Sequence, residues 1–498
     1  MKTNRAATRL TIEDTMRSPK LLGASFAGPS WHRWQAILKA AYAEPMDDDE
    51  LAAFREVAER LPPKERVREM VCIIGRGGGK DSAASLIATH AAASFDPRGK
   101  LRPGERAIVM CLAVDRHQAG VVFGYIRAYF EEVPALKKMV RTITAESIEL
   151  TNRVTIEVHT NSFRSVRGRS LLCAIFDEVA HWRDDTTANP DTEMHAAITP
   201  GLARVPNSML VLISTAHRRA GLLWNRFKEN YGKQSDVLVV KGATLQFNPT
   251  FDEETIKAAI QSDPQLYGAE YNSEWRSDLQ AFVSRDAVEA CVVEGRYELA
   301  PIAGVSYQAF VDPSGGASDS MTLSIAHKQD NRVILDLVRE WRPPFSPESV
   351  VGECADLLKM YGVTKVTGDR YGGVWVQEPF IRRGISYKLS DTEKNRIYQA
   401  FLPLINSGRV ELLDLPKLIS QLSSLERRTA RGGRDSIDHP KGLHDDLSNV
   451  CAGAAQLAIG PIPNPPAAWT TWGYRDNKPN SPHRWDGPLP GGGYATSR

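Results

Sequence analysis

The chain is poor in cysteine. Its six thiols, Cys72, Cys111, Cys173, Cys291, Cys354 and Cys451, are scattered through 498 residues. No two share CxxC or zinc-ligand spacing, which excludes a zinc ribbon, a thioredoxin-type motif and a disulfide framework. Most sit in apolar runs and read as core thiols suited to a reducing compartment. Nor does any run approach the ~20 apolar residues of a membrane helix. Met1 to Leu10 is polar and basic, without the apolar core of a secretion signal. An excess of charge is missing too: 62 Lys+Arg against 60 Asp+Glu leaves a net +2. Bulk charge does not mark a nucleic-acid binder, so such a role must rest on local clusters. Internal repeats are absent. The expectation is a soluble cytosolic protein of two to four domains, at roughly 100–200 residues each.

What is present is alternation. After a mostly helical lead-in over residues 1–65, broken at Pro62-Pro63, apolar strands alternate with helical stretches, the mark of an α/β domain over 66–275. Candidate strands are Val71–Ile74, Ala107–Ala113, Val154–His159, Leu171–Phe176 and Met209–Ser214. Residues 276–303 read as a linker. A second domain, 304–460, has three consecutive strands (Val305–Val311, Met321–Ala326, Arg332–Leu337), a helix near Ser349–Tyr361 and a strand at Lys365–Thr367. That order, with acids at strand ends, predicts an RNase H-like core. Residues 461–498 are rich in Pro, Gly and Asn and read as a disordered tail.

Val71–Ile74 runs into Gly75-Arg76-Gly77-Gly78-Gly79-Lys80, followed by a helix-like stretch, Asp81–Ala93. Strand, glycine loop, then helix is the context of a phosphate loop. Glycines let backbone N–H groups close on phosphate oxygens, and the helix N-terminus adds positive potential. Lys80 would reach the terminal phosphates. The loop departs from the usual pattern twice. Ile74 stands where a leading glycine is usual, and Asp81 stands where a magnesium-binding Ser or Thr is usual, with Ser82 one place later. A glycine-rich hairpin is the bland alternative. A second strand, Leu171–Phe176, ends in Asp177-Glu178: the first acid suits magnesium and the second suits the attacking water. A third ends in Ser214-Thr215-Ala216, small groups able to sense the γ-phosphate.

The second domain offers acids of another kind. Asp312 and Asp369 end strands, and Asp445-Asp446 open a helix-like stretch, Leu447–Leu457. Singly, each reads as a turn or cap residue. Together they predict a carboxylate cluster for two Mg²⁺ or Mn²⁺ ions, hard cations that take oxygen ligands. Asp445 and Asp446 are equal candidates for the third ligand, with Asp319 a further acid nearby. Arg427, Arg428, Arg431 and Arg434 lie between the second and third acids and suit DNA phosphates, a contact that carries no sequence information.

Taken together these motifs resemble the large subunits of tailed-phage terminases. The resemblance rests on Arg76 in a shortened phosphate loop, Asp177-Glu178 followed by Ala180-His181, the pair Arg167-Gly168, Ser214-Thr215-Ala216, and the segment Asp115–Gly120. Asp312, Asp369, His444-Asp445-Asp446 and the stretch from Leu412 to His439 carry it into the second half. A shorter match at Trp34-Gln35 implies Gln35 as an adenine reader. The resemblance implies an ASCE-type P-loop ATPase joined to an RNase H-like nuclease, with ATP and Mg²⁺ (or Mn²⁺ at the nuclease) as cofactors. It implies double-stranded viral DNA, the procapsid portal and a small terminase subunit as partners, with no membrane. It further implies a homo-oligomeric ring on the portal, in the host cytoplasm and not in the mature virion. Arg76, Arg164 or Arg167 would serve as an arginine finger. Two other readings remain: a DNA repair or recombination ATPase-nuclease, and a DNA-binding protein with decayed sites.

Overall fold

The computed structural model describes residues 10–113, 116–160, 166, 168–182, 190–317, 319–369, 376–429, 435–440 and 443–460. The described residues up to Ile459 form one compact unit. The tail expected to be disordered, 461–498, lies outside the described residues.

The first half is built on an eight-stranded sheet. Its strands are β1 (Glu69–Ile74), β2 (Ala107–Ala113), β3 (Val140–Ile143), β4 (Ser147–Leu150), β5 (Val154–Thr160), β6 (Leu171–Asp177), β7 (Met209–Ser214) and β8 (Val237–Gly242). Their order is β3-β4-β5-β2-β6-β7-β1-β8. From β5 to β8 every pair is parallel; β3 and β4 add an antiparallel edge. β2, β6 and β7 are buried throughout, and apolar but for Asp177 and Ser214 at their ends, because both sheet faces are covered, as parallel sheets require. Alternation decides the side. Met70, Cys72 and Ile74 face a core shared with Trp34, Ile37, Phe54 and Leu86. Val71 and Ile73 face one shared with Phe176, Trp182 and Ile198. The helical lead-in is therefore part of the first core: Ile12, Trp34 and Phe54 are at most 1% exposed. β7 lies between β1 and β6, the inserted strand of an ASCE-type P-loop sheet.

The second half carries β9 (Leu279–Ala281), β10 (Val292–Val293), β11 (Tyr307–Asp312), β12 (Met321–Gln329), β13 (Arg332–Trp341), β14 (Lys365–Gly368), β15 (Ser386–Leu389), β16 (Val410–Leu413), β17 (Glu426–Thr429) and β18 (Asp435–Asp438). Seven form a sheet ordered β10-β16-β13-β12-β11-β14-β15. β11, β12 and β13 are the antiparallel meander that the sequence predicts, and β14 joins β11 in parallel. This is the RNase H-like arrangement. Helix Pro347–Met360 covers the face of Ala309 and Val311. Helices Lys394–Asn406, Pro416–Ser424 and Asp446–Ile459 cover the face of Phe310.

Residues 276–303 are not free linker. β9 pairs with β17, and β10 pairs with β16, so this segment adds strands to two sheets of the second half. Its signal was weak because both strands are very short. All six cysteines are buried, as the apolar runs around them suggest.

Candidate active sites

The glycine loop sits at the carboxyl ends of the parallel strands, where open α/β sheets place ligands. Gly77 and Gly79 have φ of +78° and +80°, a region L side chains rarely adopt. A Cβ on Gly77 would lie 2.7 Å from the Phe251 ring, and one on Gly79 would lie 3.2 Å from Trp31. The loop is braced as well. Trp34 Nε1 donates to the Gly78 carbonyl at 2.8 Å, Thr244 Oγ1 to that of Arg76 at 2.8 Å, and Asn248 Nδ2 to that of Gly77 at 3.1 Å. Helix Lys80–Ser94 starts directly after it.

Lys80 is 6% exposed and pairs with Glu178 at 2.8 Å. Glu178 has φ of +47°, a left-handed turn that is costly for a non-glycine residue. Ser214 Oγ donates to its other oxygen at 3.1 Å, and His181 Nε2 lies 3.3 Å from Thr215 Oγ1. Strand ends β6 and β7 are thus joined by side chains. Burial opposes the Lys80 charge, but Glu178, Asp81 and Asp177 hold its pKa above the ordinary value. Burial, then repulsion from Asp81 and Glu178, pushes Asp177 up to about 8. Burial also raises Asp81 against the pull of Lys80. Three carboxylates thus share one ammonium. Asp177 Oδ1 is buried without a hydrogen-bond partner among the described residues. An orphaned carboxylate oxygen beside Asp81 fits a hard cation such as magnesium. The cleft over these groups holds about 380 Å³ and is lined by Arg76, Gly77, Lys80, Asp81, Glu178, His181, Thr215 and Glu270.

One expected residue is not among these. Gln35 does not line this cleft: its amide donates to Glu50 at 2.9 Å, in a cluster with Lys39. Arg76 has a side chain 72% exposed, 3.8 Å from Glu270. Ser214, Thr215 and Ala216 are at most 2% exposed. Arg164 and Arg167 lie outside the described residues.

The second group forms where β11, β14 and helix Asp446–Ile459 meet. Gly453 makes the approach possible: a Cβ there would lie 2.4 Å from the Phe310 ring. Gln421 Oε1 accepts from the backbone N–H groups of Leu447 and Ser448, at 2.9 and 3.2 Å, and caps the helix. The helix then delivers Asn449, whose Nδ2 donates to Asp312 at 2.8 Å and to Asp369 at 3.3 Å. One amide holds two carboxylates together. Asp312 is pushed up to about 7 by burial, then by Asp369 and Asp446, against the Asn449 hydrogen bond and Lys394. Asn449 Oδ1 is buried without a partner among the described residues. All these donors are oxygen, which suits Mg²⁺ or Mn²⁺.

The equal candidates Asp445 and Asp446 part company here. Asp445 accepts from Lys394 Nζ at 2.7 Å and from Tyr398 Oη at 2.8 Å. Asp446 is half-buried and acts on the charge of Asp312; its own pKa is raised by burial, then by Asp445 and Glu340. Asp438, His439 and Asp445 bring ligand atoms within 4.8 Å of one another, close enough to share an ion. Lys394 Nζ already lies between them, 3.5 Å from Asp438. One ammonium thus already serves both carboxylates of that cluster. Lys394 and Tyr398 had no local sequence signal, being 51 and 47 residues from Asp445.

Of the four arginines expected on DNA, Arg427 is exposed and paired with Asp435. Arg428 turns inward, donating to Glu426 and to the His439 carbonyl at 3.4 and 3.3 Å. Arg431 and Arg434 lie outside the described residues. Asp319 lies between β11 and β12, its carbonyl accepting from Ser314 Oγ at 2.6 Å.

A family model described as "Uncharacterized protein MJ0330, N-terminal P-loop domain" matches residues 45–273. No curated protein matches. Among solved structures, the chain is similar to the HK97 bacteriophage large terminase, with 18% identity, 84% of this chain and 100% of that chain covered, and a TM-score of 0.38. The large terminase of a thermophilic bacteriophage in complex with ADP shows 11% identity over 85% and 98%, with a TM-score of 0.34. The large terminase nuclease of thermophilic phage G20c with bound magnesium shows 16% identity over 35% and 98%, with a TM-score of 0.31. Among the described residues, no helix is long and apolar enough to cross a membrane.

Proposed function

We propose that this chain is a terminase large subunit: an ATPase that drives double-stranded viral DNA into procapsids and a nuclease that cuts concatemeric DNA. The observation that carries the reading is the pairing in one chain of two built sites. One is the Lys80–Glu178–Ser214 chain over a phosphate loop; the other is the Asp312–Asn449–Asp369 bridge on an RNase H-like sheet. A repair ATPase-nuclease would need further helicase elements after β8, where the chain instead enters the second sheet.

At the first site ATP would enter with its phosphates on the backbone N–H groups of the glycine loop. Lys80 then exchanges Glu178 for the terminal phosphates. Glu178, freed of its ammonium, orients and polarises the attacking water. Ser214 holds the same carboxylate, so loss of the γ-phosphate is felt on β7. Asp177 and either Asp81 or Ser82 would hold magnesium, which neutralises the phosphate charge when bound. Arg76, exposed at the cleft rim, suits an arginine finger.

At the second site Asp312, Asp369 and Asp446 would hold Mg²⁺ or Mn²⁺. The bound ions supply a nucleophilic water and stabilise the leaving 3′ oxygen. Asn449 fixes the spacing of the first two carboxylates, and Lys394 with Tyr398 keeps Asp445 out of that role. Arg427, with Arg431 and Arg434, would grip the DNA backbone without reading sequence. The portal, the small subunit and a ring of copies are the partners this role requires, in the host cytoplasm. The test is to supply linear duplex DNA with Mg²⁺ and ATP, and supercoiled plasmid with Mn²⁺ alone. The proposal expects duplex-stimulated ATP turnover in the first and cutting without ATP in the second. Absence of either removes that half of the function.

A further inference from the structure

Tyr387 lies on β15 in register with Val366 of β14. Its ring is 5.6 Å from Phe380 and belongs to the core on the face of Val311 and Val366. Asn449 approaches from the other face, on the helix that covers Phe310. The ring lies across Gly368, the residue directly before Asp369. A Cβ on Gly368 would stand 1.9 Å from the Tyr387 Oη, so only glycine admits the phenol there. The Oη is buried and has no hydrogen-bond partner among the described residues. Its surroundings are not neutral: after burial, the charges of Asp312 and Asp369 oppose its ionisation most. A donor thus ends against the backbone of Gly368, next in the chain to Asp369, with its hydrogen bond unassigned. Buried polar groups ordinarily have a partner, and a lone donor at a reactive site marks a ligand.

We infer that Tyr387 is a positioning residue of the nuclease site, its Oη donating a hydrogen bond to a water bound to the metal between Asp312 and Asp369. The inference rests on the metal-nuclease reading above. Asn449 and Tyr387 then flank the carboxylate pair from opposite faces of the sheet, one fixing the acids and the other the water. The proton stays on the phenol throughout. Such outer-shell donors are worth about 10- to 100-fold in metal affinity or activity.

The test is Tyr387→Phe in the full chain, which keeps the ring on Phe380 and Gly368. Three quantities are read: Mn²⁺ binding by calorimetry, plasmid cleavage resolved into kcat and KM for DNA, and the metal-free melting temperature. The inference expects kcat about tenfold lower, weaker Mn²⁺ binding and an unchanged KM. It expects a metal-free melting temperature equal or higher, since a buried hydroxyl without a protein partner is removed. Mn²⁺ binding and cleavage equal to those of the unsubstituted chain would overturn it. So would a drop in metal-free melting temperature that accounts for the loss, the mark of a merely structural role. If the unsubstituted chain binds no Mn²⁺, the metal site itself falls and the inference with it.

Discussion

Past the ends of β1 and β6, the buried ammonium of Lys80 and the half-buried carboxylate of Glu178 pair at 2.8 Å. At the ends of β11 and β14, an uncharged amide holds two carboxylates, and the nearby ammonium of Lys394 is taken by Asp445. The first site keeps that pair closed until phosphate separates it, while burial, then Asp81 and Glu178, push the neighbouring Asp177 up to about 8. The second has no such pair and is left unfinished: burial, then Asp369 and Asp446, push Asp312 up to about 7. Under the proposed function the first site waits for nucleotide and the second for cations, and these resting states suit that order.

The largest effect should come from the unfinished site. Asp312→Ala or Asp369→Ala should lower plasmid cleavage by about 10³-fold or more while ATP turnover stays within about twofold. Cleavage that survives both changes would break the comparison. Next, Lys80→Ala should lower ATP turnover by about 10²- to 10³-fold and spare cleavage. Asn449→Ala should weaken Mn²⁺ binding by about 10- to 100-fold, because the acids lose their common donor. A calorimetric titration indistinguishable from that of the parent chain would remove Asn449 from the site.

The pH dependence follows from Asp312. Its folded pKa of about 7 lies above the ordinary 3.8, so between these values the fold binds more protons than the unfolded chain. This group's stabilising share is therefore full below about pH 4 and lost as pH rises toward 7. Metal must displace the same proton, so apparent Mn²⁺ affinity should fall about tenfold per pH unit below 7 and level off above it. A profile flat from pH 5 to 8 would refute the shared-burden account of this site. The smallest effect is at Asp81, a third carboxylate around Lys80. Asp81→Ser should raise ATP turnover by about two- to fivefold by relieving repulsion. No gain in steady-state turnover would mean that Asp81 itself is the better magnesium ligand.

The sequence made the strongly apolar elements readable. β2 and β7 have the predicted bounds because every residue in them is buried. Lys80, Asp177 and Glu178 were readable because the loop and the acid-ended strand are local patterns. What escaped depends on distant chain. β9 and β10 are short strands paired with β17 and β16, more than a hundred residues away. Asp445 and Asp446 are equivalent as neighbours in sequence. Only Lys394 and Tyr398, brought in by helix Lys394–Asn406, separate them. The partner of Gln35, Glu50, was likewise not legible, since the fold brings it in from a neighbouring helix.

The central claim is that one site moves duplex DNA and the other cuts it. Displacement of a triplex-forming strand from linear duplex DNA, with Mg²⁺ and ATP, tests it most directly. Asp312→Ala should displace the strand at the rate of the parent chain, and Lys80→Ala should not displace it at all. Displacement that persists in Lys80→Ala, or that is lost equally in both, would contradict the account.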